Sequence, residues 1–348
     1  MIPCLGGYMT KQRTYSRNTH VFHFCTSYNR SICSSGSLLH FLMLNIPENA
    51  KWADKGVTVA GGRKQGTTIN QLCYPEGLFV DDHQTVFIAD WGNHCIMQWK
   101  KDDTNGKIVA GGNGRGRRLY QLNRPTDVLI DKEKNSLIIS DQGNRRVVRW
   151  LLVNDKAQGE ILIENICCYG LAMDDQGYLY VSDIETHEVR RYKLGVNGFT
   201  LVAGGNGEGA DFNQLNYPTY LFVDPQQSVY VSDWNNHRVM KWIKGAKKGI
   251  VVAGGQGHGN GLTQLEYPNG LFVDASETLY VADWGNHRVV SWPQGAQQGI
   301  IIAGGNGRGI GANQFYYPHD LFFDQHHNLY VTDYNNRRVQ LFSLKINS

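Results

Sequence analysis

The chain has 348 residues, with 34 Lys and Arg against 31 Asp and Glu, for a formal net charge of +3. That balance is too mild to argue for a nucleic-acid ligand by itself. Seven cysteines, an odd number with no CxxC pair, argue against a small disulfide framework. Leu38 to Ile46, broken by His40, is too short to span a membrane.

Residues 1–50 stand apart. They hold Lys11, Arg13, Arg17 and Arg30, with no acidic residue before Glu48, and three of the cysteines, Cys4, Cys25 and Cys33. They are expected to form a disordered or weakly structured extension. A signal peptide would use Leu38 to Ile46 as its apolar core and cleave near Ala50, but the basic stretch before it is too long for one. A basic leader without acids is also compatible with an organelle transit peptide. The compartment stays open, with the cytoplasm slightly favoured over secretion. Asn29-Arg30-Ser31 is a glycosylation sequon in this segment.

From residue 51 to residue 348 one pattern returns. Asp-x-x-Asn-His-Arg-Val recurs, with substitutions, at Asp90, Asp141, Asp183, Asp233, Asp283 and Asp333, at intervals of 51, 42, 50, 50 and 50 residues. The fourth copy shows the elements. Leu221 to Asp224 is a short apolar run, and Val229 to Asp233 is rich in β-branched and aromatic residues. Arg238 to Trp242 alternates, and Gly249 to Ala253 is β-branched again. Period-2 runs separated by Asn, Gly and Asp turns predict strands, here a to d. A repeat of 40–50 residues made only of short strands predicts an all-β, six-bladed propeller of four-stranded blades.

The shared residues have scaffold roles. An aromatic precedes the motif Asp by three at Phe87, Tyr180, Tyr230, Tyr280 and Tyr330, with Ile138 in the second copy. A second large ring follows it by nine at Trp99, Trp150, Tyr192, Trp242, Trp292 and Phe342. Rings of this size fill the space between twisted blades. The motif Asp is expected to accept N–H groups of its own turn, and the Asn three residues on to take a left-handed backbone. The sixth copy lacks a strand d, whereas Trp52 to Gly62 reads like Trp292 to Gly305. Val57 to Ala60 should therefore complete the last blade and close the ring, leaving no open edge.

The run Tyr280-Val281-Ala282-Asp283-Trp284-Gly285-Asn286-His287-Arg288-Val289 resembles the core of an NHL repeat, and the resemblance extends over about residues 52 to 348. It implies a six-bladed propeller but no single activity, because such propellers serve as protein-binding, RNA-binding, sensor and enzyme domains. It also implies an association with ubiquitin ligases, although no RING, B-box or coiled-coil segment is present. Amidating lyases of the family hold zinc with several histidines at the channel mouth, and related lactonases hold calcium there.

Four candidate sites follow. The glycine-rich runs at Gly111 to Gly116 and Gly304 to Gly309 look like phosphate loops, but they recur and lead to Asn-Gln-Leu-x-Tyr-Pro rather than to a helix. They should form a crown of structural loops, with Gln71, Gln121, Gln214, Gln264 and Gln314 bonding backbone. His94, His187, His237 and His287 share one repeat position, so they cannot converge on a metal. At the channel mouth, the residue after the strand-a proline reads Glu76, Thr126, Tyr169, Thr219, Asn269 and His319. The next position reads Gly77, Asp127, Gly170, Tyr220, Gly270 and Asp320. Glu76, Asn269, Asp127 and Asp320 could offer oxygens to calcium, while His319 alone makes a zinc site doubtful. The expectation is no cofactor. No Ser/His/Asp or Cys/His catalytic set can be drawn.

The fourth candidate is a break in the pattern. The crown loop before the third copy is missing, which should open a notch between the second and third blades. Residues 113–150 beside it carry a net charge of +5, against −2 for the rest. Arg115, Arg117, Arg118, Arg124 and Arg145, with Tyr120 and Tyr169, form a candidate partner surface for an acidic protein segment or, alternatively, RNA. The favoured function is a monomeric, non-catalytic protein-interaction module that binds its partner on the loop-rich face. The alternatives are a metal-dependent enzyme at the mouth and RNA binding through the basic sector.

Overall fold

The computed structural model describes residues 43–152 and 158–345. Their strands form six separate four-stranded antiparallel sheets. Blade I comprises Pro75–Val80, Val86–Asp90, Cys95–Trp99 and Lys107–Gly111, strands a to d. Blades II to V begin at Pro125, Cys168, Pro218 and Pro268 and repeat this order. Blade VI comprises Pro318–Phe323, Leu329–Asp333 and Arg338–Phe342, and Val57–Gly61 supplies its strand d. Val57 pairs with Leu341 and Gly61 with Arg338, so the two ends of the ring share one sheet as the sequence requires.

The wedge rings lie where the pattern puts them. Trp99, Trp150 and Trp242 are among the largest fully buried side chains, and Phe87, Tyr180, Tyr230, Tyr280 and Tyr330 are buried beside them. Each core cluster takes residues from two adjacent blades, as with Tyr230 beside Val281 and Trp292. Packing between blades, rather than within one, therefore carries the apolar burial that stabilises the ring.

The recurrent polar residues fasten the crown loops, in a way that differs from the expected turn. In blade IV the motif Asp233 accepts the N–H of Asn216, 17 residues earlier, at 2.7 Å. Asp90, Asp141, Asp283 and Asp333 do the same for Cys73, Asn123, Glu266 and Tyr316. Arg238 Nε donates to Asp233 Oδ2 at 2.7 Å, and its other nitrogens donate to the carbonyls of Ala210, Asp211 and Gln214 in the crown loop. Arg146, Arg288 and Arg338 repeat this clamp. Blade III has no crown loop before it, and there Glu188 stands in the clamp position and Asp183 accepts N–H groups of its own turn. Gln and Asn side chains bond backbone within the loops, as with Gln121 to Asn113 O and Asn113 to Tyr120 O.

The left-handed residue is the motif His, not the Asn. His94, His187, His237 and His287 have φ of 57°, 55°, 52° and 56°, as do Arg145 and Arg337 at the same position with 57° and 54°. The Asn side chain donates instead to the motif Asp and to a crown glycine carbonyl. Each His Nδ1 accepts the N–H of the residue before strand a of the following blade, at 3.0–3.3 Å.

The packed chain begins before residue 51. Ile46 is buried among Trp52, Tyr280, Phe315 and Phe323, and Leu44 accepts the N–H of Ala275. Residues 1–42, with the three N-terminal cysteines and the sequon, lie outside the described residues. Cys73, Cys95 and Cys168 are buried free thiols, and Cys167 is half-buried. No helix among the described residues is long and apolar enough to cross a membrane.

Candidate functional site

Strand a of every blade starts on the crown face, so the d–a loops and b–c turns surround one mouth of the central channel. Below it the channel is bridged. The hydroxyl of Tyr169 in blade III lies 3.3 Å from His319 Nε2 in blade VI, the blade opposite. The hydroxyl of Tyr220 in blade IV lies 3.3 Å from His319 Nδ1 and donates to the carbonyl of Thr126 in blade II at 3.0 Å. These contacts make a floor. Above it is a cavity of about 270 Å³ lined by Glu76, Tyr169, Tyr217, Thr219, Trp234, Trp284, His319 and Tyr334.

The walls are aromatic, and two repeat positions build them. The residue before strand a supplies Tyr217 and the residue after the motif Asp supplies Trp234, Trp284 and Tyr334, while Tyr74, Tyr267, Tyr317 and Trp91 occupy the equivalent positions in other blades. Trp284 and Tyr317 stack with centroids 3.7 Å apart and an interplanar angle of 8°. Trp234 is 5.2 Å from both Tyr267 and Trp284. The four tyrosines before strand a have φ between 53° and 63°, an uncommon conformation for a bulky residue. The histidine bonds just described hold the N–H groups of Tyr217, Tyr267 and Tyr317 in that conformation. The residues that name the repeat thus reach the mouth indirectly, by fixing the backbone of its rings.

The floor is polar and partly unpartnered. Glu76, Thr219, Asn269 and His319 are at most 4% exposed. Glu76 Oε2, Thr219 Oγ1 and both amide atoms of Asn269 lack a hydrogen-bond partner among the described residues. Burial pushes the Glu76 carboxyl well above its ordinary range, with the Tyr169 hydroxyl partly offsetting this and the Asp127 charge adding to it. Burial also lowers His319 to about 3, so it is neutral.

The other predicted mouth residues do structural work. Asp127 accepts the N–H groups of Leu171 and Val128 at 2.7 and 2.8 Å, and Asp320 those of Leu78 and Leu321 at 2.9 and 2.8 Å. Each ties its blade to the next one. Gly77 and Gly270 sit against them, where a Cβ would lie 2.5 Å from Asp127 Oδ1 and 2.2 Å from Asp320 Oδ1. With both carboxylates engaged, Glu76 and Asn269 alone do not supply the six to eight oxygens of a calcium shell. His319 faces tyrosine hydroxyls on both nitrogens, so it does not suit zinc.

The basic sector is less free than its charge suggests. Arg146 and Arg149 are buried and paired with Asp141 and with Asp131 and Glu160. Arg145 pairs with Glu185, and Lys132 with Asp82. Arg118 donates to the Tyr120 hydroxyl at 2.6 Å. Arg124 lies on the mouth itself, with its guanidinium 4.5 Å over the Trp91 ring. Arg115 and Arg117 remain exposed on the crown loop before blade II. The notch is present in the chain path: strand d of blade II ends at Glu164, and strand a of blade III starts at Cys168.

These features define a six-bladed propeller with an aromatic, blind-ended mouth on its loop-rich face. The profile of the NHL repeat matches residues 72–99 and 265–290, so the chain carries NHL repeats. No curated protein sequence matches it. Among solved structures it is similar to an auxiliary nutrient binding protein from Bacteroides thetaiotaomicron VPI-5482 (17% identity, 85% of this chain and 77% of that one, TM-score 0.66). It is also similar to a gluconolactonase from Xanthomonas campestris (14%, 85% and 97%, 0.59). A third likeness is to a catalytically inactive virginiamycin B lyase from Staphylococcus aureus with quinupristin (12%, 85% and 100%, 0.54). At these identities the likeness is one of fold.

Proposed function

We propose that this propeller is a non-catalytic recognition module that binds a partner protein on its crown face and takes one side-chain-sized group of that partner into the mouth. The observation that carries this reading is the pairing of aromatic walls with buried polar atoms that have no protein partner. A buried polar group without a hydrogen bond is costly, by about 1–3 kcal/mol. Two such residues, Glu76 and Thr219, in the lining of one concave, aromatic cavity follow the usual construction of a binding site. The exposed Arg115 and Arg117, with Arg118, lie on the same face and would contact acidic parts of the partner flanking the inserted group.

The test uses the eight tryptophans. Trp91, Trp234 and Trp284 are half-exposed at the mouth, whereas Trp52, Trp99, Trp150, Trp242 and Trp292 are buried elsewhere. With 5-fluorotryptophan incorporated, a screen of fragments and short peptides followed by fluorine NMR should yield binders that shift mouth resonances and leave the buried ones in place. Binders that leave all three mouth resonances unmoved would refute the assignment of the site.

One observation favours an enzymatic alternative. A buried acid with a raised pKa beside tyrosine hydroxyls is an arrangement also used in proton transfer. Under that reading Glu76 would exchange a proton with a bound substrate, and Glu76→Gln would abolish turnover while leaving binding in place.

A further inference from the structure

Resting on the mouth as the recognition site, we infer that the group it receives is a cation: the ammonium or guanidinium of a partner's Lys or Arg, held in the cavity that Trp234, Trp284 and Glu76 line. Three features of the cavity carry this.

The first is charge. The titratable and charged groups around the mouth are Glu76, Asp127, Asp320, His319, Arg124, Arg337 and the tyrosines Tyr74, Tyr169, Tyr217, Tyr220, Tyr267, Tyr317 and Tyr334. Three are carboxyls and His319 is neutral. Arg124 and Arg337 are the permanent cations of this set, stacked on Trp91 and Tyr74 on the blade I side, and Arg124 partly offsets the rise at Glu76. Burial is the main reason that the Glu76 and Asp127 carboxyls are pushed up, and a neighbouring carboxyl raises each further, Asp127 acting on Glu76 and Asp320 on Asp127. A cation beside them would offset that burial and favour the charged carboxylate, which a neutral or anionic guest does not.

The second is the ring faces. The protein itself places cations over mouth rings on one side of the channel: Arg124 over Trp91 at 4.5 Å and Arg337 over Tyr74 at 5.3 Å. Among the described residues no Lys or Arg occupies the corresponding place over Trp234 or Trp284. Indole is the strongest cation-binding ring, and the interaction strengthens when water is excluded.

The third is hydrogen bonding. Glu76 Oε2 in the cavity lining is a buried acceptor without a donor, whereas the fully buried Asn269 lacks partners on both its acceptor and its donor and so favours neither sign of charge. An ammonium or guanidinium brings only donors. A cavity of about 270 Å³ admits a single side chain and not a folded element.

Isothermal calorimetry on the full chain tests this with N-acetyl-lysine methylamide, N-acetyl-arginine methylamide and the uncharged N-acetyl-norleucine methylamide. At least one cationic compound should bind about tenfold or more tightly than the norleucine compound, the range of a charge-assisted bond to a buried carboxylate. Glu76→Gln should erase that gap, and Trp284→Leu should reduce cation affinity without lowering the melting temperature by more than a few degrees. Equal binding of the charged and neutral compounds, or a gap unchanged in Glu76→Gln, overturns the inference. If the neutral compound binds as well and Trp284→Leu weakens it, the cation inference falls and the mouth reading stands. If no compound binds and no mouth fluorine resonance moves, both fall.

Discussion

Replacing Asp233 with Asn removes the charge that neutralises a buried arginine, together with the Oδ2 acceptor that Arg238 and Asn236 share. Asp233 is fully buried and the Arg238 side chain is 8% exposed, with Nε 2.7 Å from Oδ2. The amide still accepts the N–H of Asn216 through its oxygen, so the loss falls on the clamp. Breaking one partner of a buried pair typically costs about 3–5 kcal/mol. With an unfolding entropy of roughly 2.1 cal/mol/K per residue over about 300 ordered residues, that is a fall of about 5–8 °C in melting temperature. Blade I provides the control. Cys95 stands where the clamp arginine would be, so Asp90→Asn strands no cation and should cost only about 1 kcal/mol, or about 2 °C. Calorimetric melting of both variants, with Arg238→Met and the double variant completing a cycle, measures the difference. The double variant should be more stable than the sum of the singles predicts. Equal losses at Asp90 and Asp233 would refute the clamp.

Three further outcomes follow from the same geometry. His237→Ala leaves the Tyr267 N–H without its acceptor, so it should cost about 1–3 kcal/mol and shift the fluorine resonance of Trp234, which lies against Tyr267. Removing residues 51–62 takes strand d from blade VI and exposes the edge of Arg338–Phe342; a melting temperature equal to that of the intact chain would contradict the closure. The Asp90 carboxyl is pushed up to about 7, chiefly by burial, from an ordinary value of 3.8. Because the folded value is the higher one, its contribution is fully present below about pH 4 and is lost as pH rises through about 7. Asp90→Asn should therefore flatten, without abolishing, the decline in melting temperature between pH 4 and 7.

The fold was open to reading because its causes are periodic. Blade number, wedge rings and the closing strand all follow from repeated positions, and Val57 pairing with Leu341 is a consequence of counting strands. The site was only half legible. Tyr169, Tyr220, His319 and Glu76 were visible as departures from the repeat, and they do meet. The aromatic walls were not, because Tyr-Pro and Asp-Trp recur and recurrence reads as scaffold. Their signal was still available: a ring placed before the strand-a proline in four blades points at a shared axis. The net charge of residues 113–150 misled in the opposite direction, because it counts Arg146 and Arg149. Charge counts along the chain cannot separate a solvated arginine from one neutralised by Asp141 or Asp131, since the partner is set by strand pairing. The left-handed turn position was misassigned by one residue because Asn has the stronger intrinsic preference, while the histidine's bond to the next blade decides the matter.

The central claim is that molecules recognised by this chain enter the aromatic mouth. A crystallographic fragment screen addresses it most directly, by soaking many small amines, amides and aromatic compounds and mapping all that bind. The account predicts that bound fragments concentrate between Trp234, Trp284 and Glu76, with amine nitrogens toward the carboxyl. Fragments gathered instead on the outer strands or over Arg115 and Arg117, with the mouth holding only water, would contradict it.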